Sequence, residues 1–310
     1  MSSQARQSGF DCQFAAVACR LCGSPLGAPS LVHTDPDRFE IAVGIAPEGY
    51  RRCWRRCTAC DVVQGVQDPE SERKLDALSA CYYEVDLGNN LGPKFVRVMS
   101  MPPAQSDNAG RVARVCEFWG RRRQGGGQRH VIDIGAGLGV FLARYLPEVG
   151  SDWHGTAIEP DPNAAAHLRS LSSFDVIEAS FTGNEAHIGA ADLITLNKVI
   201  EHIAQPQSLL EACGRKLTAN GVIYVEVPDE WTIGRRPAND NILGALHKHL
   251  YGPRSLAALI ERAGLTVLRV GRVFEPSGKI TVYAFAGRGL SAIVGASVEG
   301  SVPSDAKTCA

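Results

Sequence analysis

Two groups of residues have types and spacings suited to chemistry. The first runs from Val131 to Gly139, Val-Ile-Asp-Ile-Gly-Ala-Gly-Leu-Gly, an apolar stretch that enters spaced glycines and continues in a helical pattern. Glycines let a backbone turn sharply and approach a ligand closely. The helix beyond them offers unpaired N–H groups and the positive end of its dipole. Asp133 precedes the first glycine by two residues. Glu159 ends the next apolar run, 20 residues after Gly139, near the ~20-residue offset of a ribose-binding carboxylate. Gly135, Gly137 and Gly139 read G-x-G-x-G, with Val140 where the dinucleotide pattern has its third glycine. That spacing disfavours a nicotinamide or flavin enzyme. The bland alternative is a strand, turn and helix with no ligand.

The second group is Cys19-Arg-Leu-Cys22 and Cys57-Thr-Ala-Cys60, a C-x2-C-x34-C-x2-C pattern. Each pair folds into a tight knuckle that points two thiolates at one ion. Two knuckles complete a tetrahedral four-sulfur site suited to structural zinc, with no open position for catalysis. Gly23, and Asp61 at a tolerated positive φ, suit the knuckle turns. Because the 34-residue gap exceeds the usual spacing of about 15–20, a looped insertion is expected, and His33 and Cys53 are alternative ligands. Four ordinary reduced cysteines is the competing reading.

Smaller clusters follow. Glu201-His202 lies beyond a later apolar run, and His247, His249 and Tyr251 lie just before a helical stretch. A solvated loop and helix start explains the second cluster equally well. Tyr82, Tyr83 and Glu84 could form part of a lid or pack a helix. Arg51, Arg52, Arg55 and Arg56 flank Trp54. Guanidinium groups could grip a diphosphate, but charge runs are more often solvated surface, and that reading is favoured.

These residues need elements to hold them. The chain has 310 residues, 45% of them hydrophobic, which supports about two domains. Its net charge of −1 gives no general field toward nucleic acid or anionic membrane. Its opening residues carry no apolar core of a signal peptide, and no run is long enough to span a bilayer. A cytoplasmic protein is expected. Five of the ten cysteines lie between Cys19 and Cys60, and clustered thiols in a reducing compartment point to metal rather than disulfides.

The expected organisation is a leader at 1–18, a zinc-binding ribbon at 19–70, a helical connector or lid at 71–127, a ligand-binding domain at 128–287 and a disordered tail at 288–310. Past His130, strand-length apolar runs alternate with helical patterns: strands at 130–134, 153–158, 174–178, 192–196 and 221–227, with helices at 138–146, 162–171, 208–217 and 253–263. This βαβα rhythm predicts an α/β fold with a mostly parallel, Rossmann-like sheet covered on both faces. Runs at 265–273 and 280–286, separated by Pro276 and Gly278, predict an antiparallel hairpin at its edge.

Val131 to Gly139, Glu159-Pro160, the stretch 192–203 (DLITLNKVIEHI) and the stretch 209–229 together resemble the class I S-adenosylmethionine-dependent methyltransferases, over residues 128–287. The resemblance implies that Gly135, Ala136, Gly137 and Gly139 cradle the methionine part of the cofactor, that Asp133 orients it and that Glu159 holds the ribose. It points to Ser180 and Phe181 beside the adenine, Phe181 as a stacking face, and to Asn197 at the end of the fourth strand. The ribbon, the Tyr-Tyr-acid segment and the core resemble bacterial methyltransferases with an N-terminal zinc-binding domain, sugar C-methyltransferases among them, in a shorter build. A small polar metabolite is therefore the expected acceptor, with no nucleic-acid partner.

Methyl transfer requires alignment of an acceptor and removal of its proton. Histidine suits the second task. His202 is the expected base, with Glu201 orienting it or sharing the proton, and Tyr83 and His249 ranked behind. The other reading is a zinc-ribbon binding module with a non-catalytic Rossmann-like domain.

Overall fold

The computed structural model describes residues 18–78, 90–121 and 127–289. Residues 1–17 of the expected leader, 290–310 of the expected tail, and Tyr82, Tyr83 and Glu84 lie outside them.

The N-terminal elements are β1 (Leu26–His33), α1 (Arg38–Ala42), β2 (Arg52–Cys57), β3 (Val63–Val66) and α2 (Pro69–Leu78). Then come α3 (Leu91–Met99) and α4 (Asp107–Gly120). The remainder alternates: β4 (Arg129–Ile134), α5 (Val140–Val149), β5 (Trp153–Ile158), α6 (Pro162–Leu171), β6 (Asp175–Ile177), β7 (Ala191–Asn197), α7 (Pro206–Lys216), β8 (Leu217–Pro228), β9 (His249–Leu250), α8 (Pro253–Arg262), β10 (Thr266–Phe274) and β11 (Ile280–Gly287).

The large sheet has seven strands in the order β10-β11-β8-β7-β4-β5-β6. Pairs from β8 to β6 are parallel, while β11 is antiparallel to both β8 and β10. The expected terminal hairpin is present, with β10 at the edge and β11 inserted between β10 and β8.

Strand β4 shows why the sheet is covered on both sides. Val131 packs with Val115, Phe118, Leu142 and Phe285 on one face. Its neighbour Ile132 packs with Leu210, Leu256 and Ile260 on the other. Successive side chains of a strand point to opposite faces, so a strand apolar at every position needs helices on both. Helix α4 buries Val112, Val115 and Phe118 at helical spacing, and Phe118 stacks on Phe285 at 3.9 Å between ring centroids.

A second, four-stranded sheet has the order β1-β2-β3-β9. Its last strand comes from far along the chain: Val63 pairs with Leu250 and Gln64 with His249. Tyr251 then bridges to Asp229, just beyond β8. The C-terminal half thus supplies a strand to the N-terminal sheet, and the two sheets share the segment from His249 to Tyr251. Among the described residues, no helix is long and apolar enough to cross a membrane.

Candidate functional site

The glycine loop sits at the C-terminal ends of β4, β7 and β5, where parallel α/β sheets bind ligands. Gly135, Gly137 and Gly139 have φ of 67°, 56° and 72°, a region where an L side chain is strained. Space is also short. A Cβ at Gly135 would lie 2.8 Å from Val199 Cγ2, and one at Gly139 2.6 Å from Leu168 Cδ2. The backbone can take this curve only as glycine. Ala136 between them is buried.

Two buried carboxylates flank the loop. Asp133 Oδ1 accepts hydrogen bonds from Thr195 Oγ1 at 2.6 Å and Asn197 Nδ2 at 2.9 Å. Burial pushes its carboxyl up to about 6, against the hydrogen bonds of Thr195 and Asn197. Glu159 accepts from the backbone N–H of Gly137 at 2.9 Å and of Asp161 at 3.0 Å, so it braces the loop it is expected to serve. Burial raises its pKa too. Asn197 Oδ1 is buried with no hydrogen-bond partner among the described residues. A tight glycine curve with buried acceptors beside it could receive a ligand that carries an ammonium group and hydroxyls.

Ser180 is exposed. Phe181 is only 3% exposed, within the apolar cluster of Ile158 and Ile188. Its ring lines the wall beside β5, with burial of apolar area holding it there.

Beyond β7 the chain turns at Lys198, a non-glycine residue at φ 61°. This turn sets Val199 against Gly135 and leads into Glu201-His202. His202 Nδ1 lies 3.1 Å from the carbonyl of Leu246. Burial holds its pKa down at about 4, so the ring is neutral and Nδ1–H donates to Leu246. Glu201 is fully buried, and neither carboxylate oxygen has a hydrogen-bond partner among the described residues. Burial, partly offset by Lys198, raises it to about 8. The expectation that Glu201 orients His202 is thus corrected: the Leu246 carbonyl does. The main-chain carbonyl of Glu201 accepts from the N–H groups of Lys248 and His249 at 2.7 and 3.2 Å, which docks the histidine-rich segment here.

That docking brings His247, and not His249, to His202. The rings of His202 and His247 meet edge-on with centroids 4.5 Å apart. His249 faces into the four-stranded sheet, wholly buried, with neither ring nitrogen partnered among the described residues. It is not in the group that Glu201, His202 and His247 form, and burial holds its pKa down at about 3.

The cysteine pairs converge. Cys19, Cys22, Cys57 and Cys60 place their sulfurs within 4.8 Å of one another, with Cys19–Cys60 at 3.6 Å and Cys22–Cys57 at 3.4 Å. A tetrahedron with bonds of about 2.3 Å to sulfur has edges of roughly 3.8 Å, so the four could hold a metal ion with little movement. The N–H groups of Leu21, Ala59 and Cys60 point at the sulfurs, each at 3.4 Å, and Gly23 and Asp61 take the positive φ the knuckles need. Burial raises the Cys22 thiol, but hydrogen bonds from Ser24 outweigh this and bring it to about 6. His33 and Cys53 are not among these donors.

The arginine run divides. Arg52 is buried and bonded to Tyr50 and the Leu243 carbonyl, beside Glu40. Arg56 binds Asp61 and Glu230. Trp54 is fully buried. The expected solvated surface is therefore corrected for Arg52; Arg56 stays partly exposed while its ion pair with Glu230 ties the ribbon to the rest of the chain.

Sequence reasoning passed over Thr195, Arg111, Glu226 and the Leu246 carbonyl. The one available signal was polarity out of place: Thr195 and Glu226 interrupt otherwise apolar buried strands. Glu226 receives Arg111 at 2.6 and 3.1 Å and Arg114 at 3.1 Å, and this cluster pins α4 beside the glycine loop. Asn108 of the same helix donates to the Val140 carbonyl at 2.7 Å.

Comparison with known proteins adds a family. Residues 104–270 match the family model described as Methyltransferase domain. The ubiquinone biosynthesis O-methyltransferase of Pectobacterium atrosepticum is 29% identical over 108 residues, 34% of this chain and 44% of that one. The enzyme of the same name from Sodalis glossinidius is 26% identical over 175 residues, 55% of this chain and 61% of that one. The chain thus spans about half the length of these relatives. A solved structure of Burkholderia thailandensis 1,6-didemethyltoxoflavin-N1-methyltransferase, with S-adenosylhomocysteine bound, superposes with a TM-score of 0.50 at 16% identity, covering 76% of this chain and 95% of that one. At that identity the likeness concerns the fold alone.

Proposed function

The chain belongs to the methyltransferase-domain family, and on that premise we propose that it transfers the methyl group of S-adenosylmethionine to a small polar acceptor, a sugar or nucleotide-linked sugar of a biosynthetic pathway. The observation that carries this reading is the glycine curve closed by Val199, with buried Asp133 and Glu159 on either side.

The bound cofactor supplies an electrophilic methyl on a good leaving group. Gly135, Ala136, Gly137 and Gly139 hold its methionine part. Asp133 offers charge to the ammonium group, and Asn197 stands beside it. Glu159 receives the ribose hydroxyls on its remaining lone pairs, and Ser180 borders the adenine. Oxygen is the proposed acceptor atom, in keeping with the O-methyltransferase names of the relatives. His202 takes the acceptor's proton on Nε2, because the Leu246 carbonyl fixes the proton on Nδ1. Four thiolates, Cys19, Cys22, Cys57 and Cys60, hold a structural zinc ion.

Calorimetry with S-adenosylhomocysteine tests the first half. A folded, metal-loaded protein that gives no heat would favour the binding-module reading. A screen of nucleotide sugars with methyl-labelled cofactor tests the second. His202→Ala should lower kcat about a hundredfold while leaving S-adenosylhomocysteine affinity nearly intact; unchanged turnover removes the base assignment.

A further inference from the structure

We propose that Glu201, His202 and His247 form a second cation site, built for one divalent transition-metal ion of the zinc, cobalt or nickel kind. One carboxylate oxygen and two imidazole nitrogens lie within 4.8 Å of one another. Glu201 is fully buried and neither of its oxygens has a hydrogen-bond partner among the described residues. A buried carboxyl so placed either keeps its proton or gives it up to a cation that takes its place.

The imidazoles are oriented as metal ligands are. His202 Nδ1 lies 3.1 Å from the Leu246 carbonyl, and His247 Nδ1 lies 2.6 Å from the Ile242 carbonyl. Outer carbonyl partners of this kind fix the tautomer and leave Nε2 as the ligating nitrogen. The two rings meet edge-on with centroids 4.5 Å apart. The bonds from Lys248 and His249 to the Glu201 carbonyl hold the two contributing segments together.

The donor set selects the ion. Two nitrogens and one oxygen suit zinc, cobalt or nickel, whereas magnesium and calcium want oxygen throughout. The charges of Lys198 and Lys248 are felt at Glu201 and His202, so the ion meets repulsion and binds more weakly than at four thiolates. Three protein ligands leave positions open to water or to an acceptor oxygen.

The site has a consequence for turnover that rests on the reading of His202 as base. An ion on His202 Nε2 occupies the lone pair that would take the acceptor's proton, so the loaded state is silent in methyl transfer. Metal stoichiometry does not depend on that reading, which lets the two be tested apart.

The experiment uses the whole chain with zinc already on the thiolates. Titration with cobalt(II) should give a visible d–d absorption and one added cobalt per chain by dialysis and elemental analysis. His247→Ala and Glu201→Gln should each weaken that cobalt at least about tenfold, with the thiolate zinc and the folded circular-dichroism spectrum retained. Saturating cobalt should suppress methyl transfer in the natural protein and leave the turnover of His247→Ala unsuppressed. Absence of a second ion, or cobalt retained equally by both variants, overturns the site. Cobalt that binds as stated without slowing turnover supports the site and removes the base role of His202.

Discussion

Val199 closes the glycine curve from above: a Cβ on Gly135 would stand 2.8 Å from its Cγ2. The same short turn carries Glu201 and His202, so the proposed cofactor cradle and the proposed acceptor side meet at one contact. Gly135→Ala should strain both. A positive φ alone costs about 1–2 kcal/mol for an L residue, and the clash adds to it. Urea denaturation should show a loss of that order, and S-adenosylhomocysteine affinity should fall about tenfold or more. Unchanged affinity would mean that the ligand does not use this curve.

Asp133 opposes stability at neutral pH. Its folded-state carboxyl stands at about 6, against an ordinary value of 3.8. The folded state therefore holds the proton more tightly than the unfolded state does. That contribution is full below pH 4 and is lost as pH rises through 6. Asp133→Asn removes the penalty and keeps an oxygen for Thr195 and Asn197. At pH 7 it should stabilise the apo protein by on the order of 2–3 kcal/mol, with no gain at pH 4. Cofactor affinity should fall, because the ammonium group loses its anion. Parallel melting curves at the two pH values, with calorimetry, check both signs.

The contrast between legible and hidden features is itself physical. Strand Trp153–Ile158 and helix Pro162–Leu171 match expectation to the residue, because Asp161 caps the helix and Pro162 starts it. The thiols were legible because a pair of Cys-x2-Cys knuckles demands another pair. Strand β9 was not: two residues, His249 and Leu250, carry no period, and only Val63 and Gln64 make them a strand. Arg111 and Glu226 lie 115 residues apart, and local pattern says nothing about such a pair. The Leu246 carbonyl leaves no trace in sequence, since every residue has one.

Glu226 is buried among three cations. Arg111 binds it at two points, Arg114 lies at 3.1 Å and Lys198 at 3.5 Å. These charges hold its carboxyl well below the usual range despite burial. Glu226→Gln leaves the cations facing one another without their anion. Breaking a buried pair from one side costs about 3–5 kcal/mol, and the loss should appear in chemical denaturation. Arg111→Met with Glu226→Gln should recover part of it, because one uncompensated charge is removed. Additive losses in the double variant would refute this account of the cluster.

The thiol cluster should matter for turnover more than for cofactor binding. Zinc would hold Cys57 and Cys60 at the end of β2, and β2 pairs with β3, which pairs with β9. Strand β9 continues the segment whose Lys248 and His249 bind the Glu201 carbonyl. Loss of the ion should therefore loosen the acceptor side more than the glycine curve, since β9 is held by the ribbon while the curve is held by the main sheet. Cys57→Ser, or chelation, should release one zinc per chain and raise hydrogen exchange first in residues 52–66 and 247–251, because local opening follows the weakest unit. Turnover should drop about tenfold or more, while S-adenosylhomocysteine affinity changes by no more than about threefold. Equal losses in both would show that the two sheets unfold as one, and that the shared strand does not confine the damage to the acceptor side.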